Sequence, residues 1–256
     1  MTTALTYREP SEIEYAAARA AAKRRLSPYR DITDDDVDRL VHQFDCVADT
    51  PAGAVLSRPE EDQKRVHLLV SGWLIAWVCT GDDRRYIHRV HRAGDLVGVE
   101  DMNWTYATTN VTAIKDCRVF GMDKARFVTL LTEDRELSPY LFGIAMLEQV
   151  IMVDRAQANA RLPARWRLAH FLLTMEAEQQ RYGDSPGPYF HVPLTQREIA
   201  DCIGVSAIHA NRALKTLTDE GYIERSGHDY RILRRDDLRE HTGWIDRLRV
   251  ANYLAA

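Results

Sequence analysis

The segment LTQREIADCIGVSAIHANRALKTLTDEGYIERSGHDYRIL, residues 194–233, decides how this chain folds at its C-terminal end. Thr195 followed by Glu198 is the pattern of a capping box, in which each side chain satisfies a free backbone N–H at the start of a helix. It opens a helix of about two turns, with Ile199 and Ala200 facing inward. Gly204 supplies the tight turn that ends it. Ser206 caps a second helix running to about Glu220, whose buried face is Ala210, Leu214 and Leu217. GYIERSGHDYRI then reads as two short strands around a glycine turn. Helix, glycine turn, helix and wing, in that order, predict a winged helix-turn-helix whose second helix enters the DNA major groove.

The exposed start of the second helix carries His209, Asn211, Arg212 and Lys215. Arginine can bond guanine O6 and N7 together, and asparagine can bond adenine N6 and N7. Lys215, further along, suits a phosphate. Thr195, Gln196 and Ser206 stand at helix N-termini, where backbone N–H groups also favour phosphate. With Ala207 and Ile208 at the helix start, these residues form the candidate DNA-binding set. The competing reading is a solvated polar face on a structural helix pair.

Working outward, residues 164–182 form an amphipathic helix with Leu168, Leu172 and Leu173 inward, restarted by Pro163. GDSPGPYFHVP after it is a loop ending in a short strand. A longer helix precedes it, from Ser138 to about Leu162. Leu137, Leu141, Ile144, Glu148 and Ile151 keep the 3-and-4 spacing of a coiled-coil seam and are the candidate dimerisation residues. Met146, Leu147, Val150 and Val153 widen its apolar surface beyond one seam. Residues 50–122 read as many short β-branched and aromatic strands punctuated by Gly53, Gly72, Gly81, Gly94 and Gly98, which predicts a sandwich or jelly-roll barrel. KARFVTLL after them is a short helix. Residues 31–45 form a helix capped by Thr33, with Val37, Leu40, Val41 and Phe44 on its apolar stripe. Residues 1–30 are a helical extension whose apolar side is mostly alanine, which predicts weak docking or fraying, with Lys23, Arg24 and Arg25 as a solvated face. The expected division is 1–30 extension, 31–132 β-roll, 133–162 dimerisation helix and 163–256 DNA-binding domain, an α+β chain overall.

Composition sets the limits of this reading. Across 256 residues, 45% hydrophobic and 28% charged content exclude a disordered, collagen-like or disulfide-stapled chain. The net charge of −4 argues against a protein that coats nucleic acid non-specifically. Residues 161–256 hold 14 Lys+Arg against 13 Asp+Glu, whereas residues 1–160 hold 20 against 25, so the acidic excess lies in the front part. No unbroken run of 18 apolar residues occurs, and the N-terminus lacks the apolar core of a secretory signal, which predicts no membrane span and a cytoplasmic location. Cys46, Cys79, Cys117 and Cys202 form no CxxC pair and read as buried, unpaired thiols.

The rear part resembles the Crp/Fnr superfamily of bacterial transcription regulators through LTQREIADCIGVSAIHANRALKTLTDEGYI. PAGAVL, LLVSGWL, GDLVGVEDM and TAIKDCRVFGMDKARF resemble its cyclic-nucleotide-binding-type β-roll in order and spacing. The resemblance covers about residues 30–235. It implies a homodimer formed along the long helix, with two helix-turn-helix units on a palindromic double-stranded DNA site. RNA polymerase and a small-molecule effector are further expected partners. Trp73, Val97, Gly98, Val99, Ala107 and Thr108 fall at the candidate effector pocket. Here the chain departs from the cyclic-AMP-binding pattern: Val99 follows Gly98, the Arg-Ser place falls on Ala107 and Thr108, and no arginine lies between Arg92 and Arg118. A cyclic phosphate there would lack a cation. No N-terminal cysteine cluster suggests an iron–sulfur centre, so no cofactor is expected. The family's Arg-Glu pair at the recognition helix reads Ala207 and Ile208 here.

Other readings compete. A β-roll that is only a scaffold would leave Trp73, Trp77, Tyr86 and Trp104 as core filling. A metal-dependent jelly-roll enzyme would need converging histidines, but His88 and His91 lie three apart in a strand and point to opposite faces, with His67 remote. Cys202, beside the helix-turn-helix turn, would offer redox control if its thiol were oxidised.

Overall fold

A computed structural model describes residues 5–27, 32–79, 81, 84–183 and 187–250. The junction expected near residues 28–31, residues 184–186 of the expected loop, and the two ends of the chain at 1–4 and 251–256 lie outside the described residues.

Helix α1 (Glu12–Leu26) begins at a capping box in which Ser11 Oγ accepts from the Glu14 N–H and the Ser11 N–H donates to the Glu14 carboxylate. Its alanines do not dock weakly. Ala18, Ala21 and Ala22 are fully buried, as is Leu26. The small side chains permit close approach: a Cβ added at Gly94 (φ +95°) would sit 2.6 Å from the Ala21 carbonyl oxygen. Nor is the basic run wholly solvated. Lys23 pairs with Asp34 at 2.6 Å, and Arg25 is buried with Nε 2.9 Å from the buried carboxylate of Asp95. The segment before α1 is held as well, by backbone bonds between Arg8 and Val47 and by the Tyr7 hydroxyl 2.7 Å from His67 Nε2. Helix α2 (Asp34–Val41), capped by Thr33, buries Val37, Leu40 and Val41, with Phe44 beyond its end.

The strands of the β-roll start at Cys46, slightly before the expected residue 50. Its strands are β1 (Cys46–Thr50), β2 (Val55–Ser57), β3 (Arg65–Ser71), β4 (Trp73–Cys79), β5 (Arg85–Arg92), β6 (Leu96–Val97), β7 (Asn110–Ala113) and β8 (Cys117–Asp123). They form two four-stranded sheets, in the orders β1-β8-β3-β6 and β2-β7-β4-β5. Inward residues of both sheets, among them Ala48, Leu69, Leu74, Ala76, Val97, Val111 and Val119, make one buried cluster. Helix α3 (Lys124–Glu133), capped by Asp123, follows.

Helix α4 (Leu137–Arg161) runs 25 residues. Helix α5 (Ala164–Arg181) restarts after Pro163 and buries Leu168, Leu172 and Leu173. Then come β9 (Phe190–His191), α6 (Gln196–Ile203), α7 (Ala207–Asp219), β10 (Ile223–Ser226), β11 (Asp229–Ile232), α8 (Arg235–Thr242) and α9 (Arg247–Val250). The sheet order β10-β11-β9 joins the wing to the strand after α5. The chain divides into one compact unit of residues 1–78 with 88–143 and another of 79–87 with 144–256. In the second, the segment after α8 packs back: Trp244 Nε1 donates to Thr174 Oγ1 at 3.0 Å, and Arg247 makes a two-pronged bond to Asp154.

The two apolar sides of α4 are not where the heptad spacing put them. Leu137, Leu141 and Ile144, with Leu147, are buried within the chain's own fold, and Glu148 and Ile151 are half-buried. The outward apolar stripe is Phe142, Met146, Val150 and Val153. By length and composition alone α4 is also apolar enough to cross a membrane, although charged residues interrupt every long apolar run. Two other expectations are corrected. Cys79 is exposed, unlike the other three thiols, and Trp104 is 51% exposed rather than core, with Trp73, Trp77 and Tyr86 half-buried.

Two stability predictions follow from the buried groups. Burial works against the charge of Asp95, but Arg25 and Arg89 outweigh it and hold the carboxyl below the usual range. Asp95→Ala is expected to lower the unfolding free energy by about 3–5 kcal/mol, because it removes the carboxylate that faces the buried Arg25 guanidinium. Arg19→Ala, at a surface pair, should leave a urea midpoint nearly unchanged; equal effects would contradict this. Burial also pushes three histidines down, His67 to about 3, His91 to about 3 and His170 to about 4. Each is neutral in the folded chain but titrates near pH 6.5 when unfolded, so their contribution is complete above that pH and lost on acidification. Urea unfolding should show stability falling by up to about 4 kcal/mol per pH unit near pH 5, the uptake of about three protons. A flat profile between pH 7 and 5 would refute it.

Candidate nucleic-acid interface

Helix α6 starts as the sequence predicts: Thr195 Oγ1 accepts from the Glu198 N–H at 3.2 Å, and the Thr195 N–H donates to the Glu198 carboxylate at 2.8 Å. Ile199, Ala200, Cys202 and Ile203 are buried. Gly204 ends the helix at φ 66°, ψ 41°, a left-handed conformation that a side chain would strain. Two residues later Ser206 caps α7, its Oγ accepting from the His209 N–H at 3.3 Å. The same oxygen lies 2.7 Å from His209 Nδ1. A hydroxyl proton donated to Nδ1 puts the imidazole hydrogen on Nε2, where it is a donor.

Ala210, Ala213, Leu214 and Leu217 turn α7 inward. Its exposed residues include Ala207, Ile208, His209, Asn211, Arg212 and Lys215, together with the capping Ser206. Ile208, Asn211, Arg212 and Lys215 are spaced three and four apart and so share one face. Thr195 and Gln196 are exposed at the start of α6. Lys215 Nζ is 2.5 Å from Asp219, an exposed pair that a phosphate would compete with. Beyond α7, β10 and β11 pair around Gly227, whose carbonyl accepts from Arg225 at the wing tip.

Sequence reading missed what holds α6. Arg155 and Asn159 of α4 both donate to the Cys202 carbonyl, at 3.2 and 3.3 Å, and Arg167 of α5 reaches the Ile203 carbonyl at 3.5 Å. These donors satisfy carbonyls that the last turn of a helix leaves free, and the arginines complement its dipole. Arg85 donates to Asp201 at 2.7 Å on the same helix. The partners are dozens of residues apart, so no local signal announces them. Cys202 itself is fully buried, and burial pushes its thiol up to about 11. A thiol held protonated and out of solvent is a poor redox switch.

In the β-roll, the residues expected around an effector are occupied within the chain. Val97 belongs to the buried cluster, Trp73 and Val99 are half-buried, and Gly98 has φ +87°. Ala107 exchanges backbone bonds with Glu60 and Glu61. The Thr108 N–H and hydroxyl both donate to the buried Asp101 carboxylate, at 2.9 and 2.5 Å. His67 is buried against Tyr7, and among the described residues no three His, Cys, Asp or Glu side chains are grouped to hold a metal ion.

A β-roll, a long helix and a winged helix-turn-helix with a polar face on its second helix define a class of DNA-binding regulators. The comparisons agree. Residues 49–134 match the cyclic nucleotide-binding domain family and residues 166–241 match the Crp-like helix-turn-helix domain family. The probable transcriptional regulator flp of Lacticaseibacillus casei is 26% identical over 210 residues, covering 80% of this chain and 89% of that protein. The nitrogen fixation regulation protein FixK of Azorhizobium caulinodans is 26% identical over 209 residues, covering 78% and 82%. The structure of FixK2 from Bradyrhizobium japonicum aligns with TM-score 0.68 at 22% identity, covering 76% of this chain and 96% of that one. The chain belongs to the Crp/Fnr family and is a DNA-binding transcription regulator.

Two substitutions test the α7 face. Arg212→Ala should cost about 1–3 kcal/mol and relax preference at one base position; equal weakening on all sequences would make Arg212 a phosphate contact. Lys215→Ala should reduce the salt slope of binding by about one; an unchanged slope would remove it from the interface.

Proposed function

We propose that this regulator works as a homodimer on a palindromic duplex, the two α7 helices entering major grooves about 34 Å apart. The observation that carries this reading is the outward stripe of α4. Phe142 is 64% exposed and Val153 58%, with Met146 and Val150 between them at helical spacing. A second copy of the chain presents the same stripe and covers it isologously, which also accounts for an α4 apolar enough to resemble a membrane span. DNA as partner implies a cytoplasmic protein with RNA polymerase as a further partner, and a role as regulator rather than enzyme.

The β-roll does not suit a cyclic nucleotide. The donors of Thr108 are spent on Asp101, no arginine lies between Arg92 and Arg118, and a phosphate there would meet a carboxylate. The regulator therefore binds DNA without a cyclic-nucleotide effector, with the roll as platform or as receptor for another kind of molecule.

Replacing Val150 and Val153 together by Glu should give a monomer in sedimentation velocity. It should also lose high-affinity binding to a duplex selected from a randomised library, with the urea midpoint little changed. A variant that stays dimeric and binds as before would refute the α4 dimer. Cyclic AMP at millimolar concentration should leave the affinity of the parent protein unchanged; a marked increase would refute the effector-free reading.

A further inference from the structure

Ile208 is the one residue of the α7 face that polar recognition does not explain. It is 71% exposed, more than any other large apolar side chain described in the C-terminal unit, and it sits in the first turn of the helix. The buried side of α7 begins only at Ala210, so Ile208 has no part in the domain's own core. An isoleucine left in water at this point adds nothing to folding.

Its neighbours say what covers it. Ile208 shares a face with Asn211, Arg212 and Lys215, and the N-terminal residues of a recognition helix are those that meet base edges. His209 beside it is tied back to Ser206. In the major groove every base edge offers hydrogen-bond donors or acceptors, but only thymine offers an apolar group, its C5-methyl. A side chain that cannot hydrogen-bond would desolvate the polar edge of guanine, adenine or cytosine without compensation. Against thymine it buries methyl on methyl. The β-branch favours a single χ1 rotamer in a helix, so the reading surface is fixed before DNA arrives.

We infer that Ile208 reads the C5-methyl of one thymine in each half-site, beside the bases read by Asn211 and Arg212. This rests on α7 being the base-reading helix, and it names what that helix selects at its first turn.

The probe is the duplex that the full-length protein selects from a randomised library, with each thymine of the half-site replaced in turn by deoxyuridine. That exchange removes the methyl and leaves every hydrogen-bonding group. One thymine position should weaken binding by about fourfold per half-site, the worth of burying one methyl group. Ile208→Ala should bind more weakly but lose sensitivity at that position, and Ile208→Val should keep part of it. Parent protein indifferent to every such replacement, or Ile208→Ala as sensitive as the parent, would overturn the assignment. Failure of the α7 reading itself is distinguishable: Arg212→Ala would then leave sequence preference intact, whereas a relaxed preference with methyl-insensitive binding sinks Ile208 alone.

Discussion

A helix with apolar side chains on two sides needs two covers, and the described residues of one chain supply only one of them for α4. Leu137, Leu141, Ile144 and Leu147 are taken up by the chain's own core, and Phe142, Met146, Val150 and Val153 remain outside. Exposed apolar area costs roughly 25 cal/mol per Å² relative to burial, so a stripe of four large side chains is a strong drive toward association. In the proposed dimer that drive creates the two-fold axis, and the axis makes a palindrome the natural target. Net charge of −4 is no obstacle, since specificity comes from a few placed contacts rather than from bulk charge.

The same helix holds the reading head from below. Arg155 and Asn159 on its last turns cap the carbonyl end of α6, while Asp154 is clamped by Arg247 from the C-terminal segment. From α6 the chain turns at Gly204 directly into the Ser206 cap of α7. The position of the recognition helix within its unit is thus fixed by hydrogen bonds from α4 and by one left-handed glycine. In the N-terminal unit, the corresponding anchor is electrostatic. Arg25 and Asp95, both buried, tie the extra helix α1 to the roll.

Much of this was legible in sequence where the signal is local. The cap at Thr33, the capping box at Thr195, the cap at Ser206, the turn at Gly204, the break at Pro163 and the wing glycine at Gly227 each depend on a few adjacent residues, and each is found in the structure. What was not legible depends on the third dimension. An alanine-rich helix reads as weak by hydrophobicity, yet small side chains let α1 sit against Gly94, which no propensity records. A 3-and-4 spacing identifies an apolar stripe but not which of two stripes the chain itself covers, and here it covers Leu137, Leu141 and Ile144. Arg25 looked like a solvated cation because its partner Asp95 lies 70 positions away in the sequence. The donors of Thr108 looked available to a ligand because nothing in the spacing shows Asp101 reaching them.

Helical phasing of the two half-sites tests the central claim most directly. In the selected palindrome, inserting about half a helical turn, about 5 bp, between the half-sites places one of them on the far face of the duplex. A rigid two-fold dimer should then lose affinity by about a hundredfold or more, because only one α7 can engage. Affinity unchanged by that insertion would mean that each chain reads DNA independently, and would contradict the dimer built on α4.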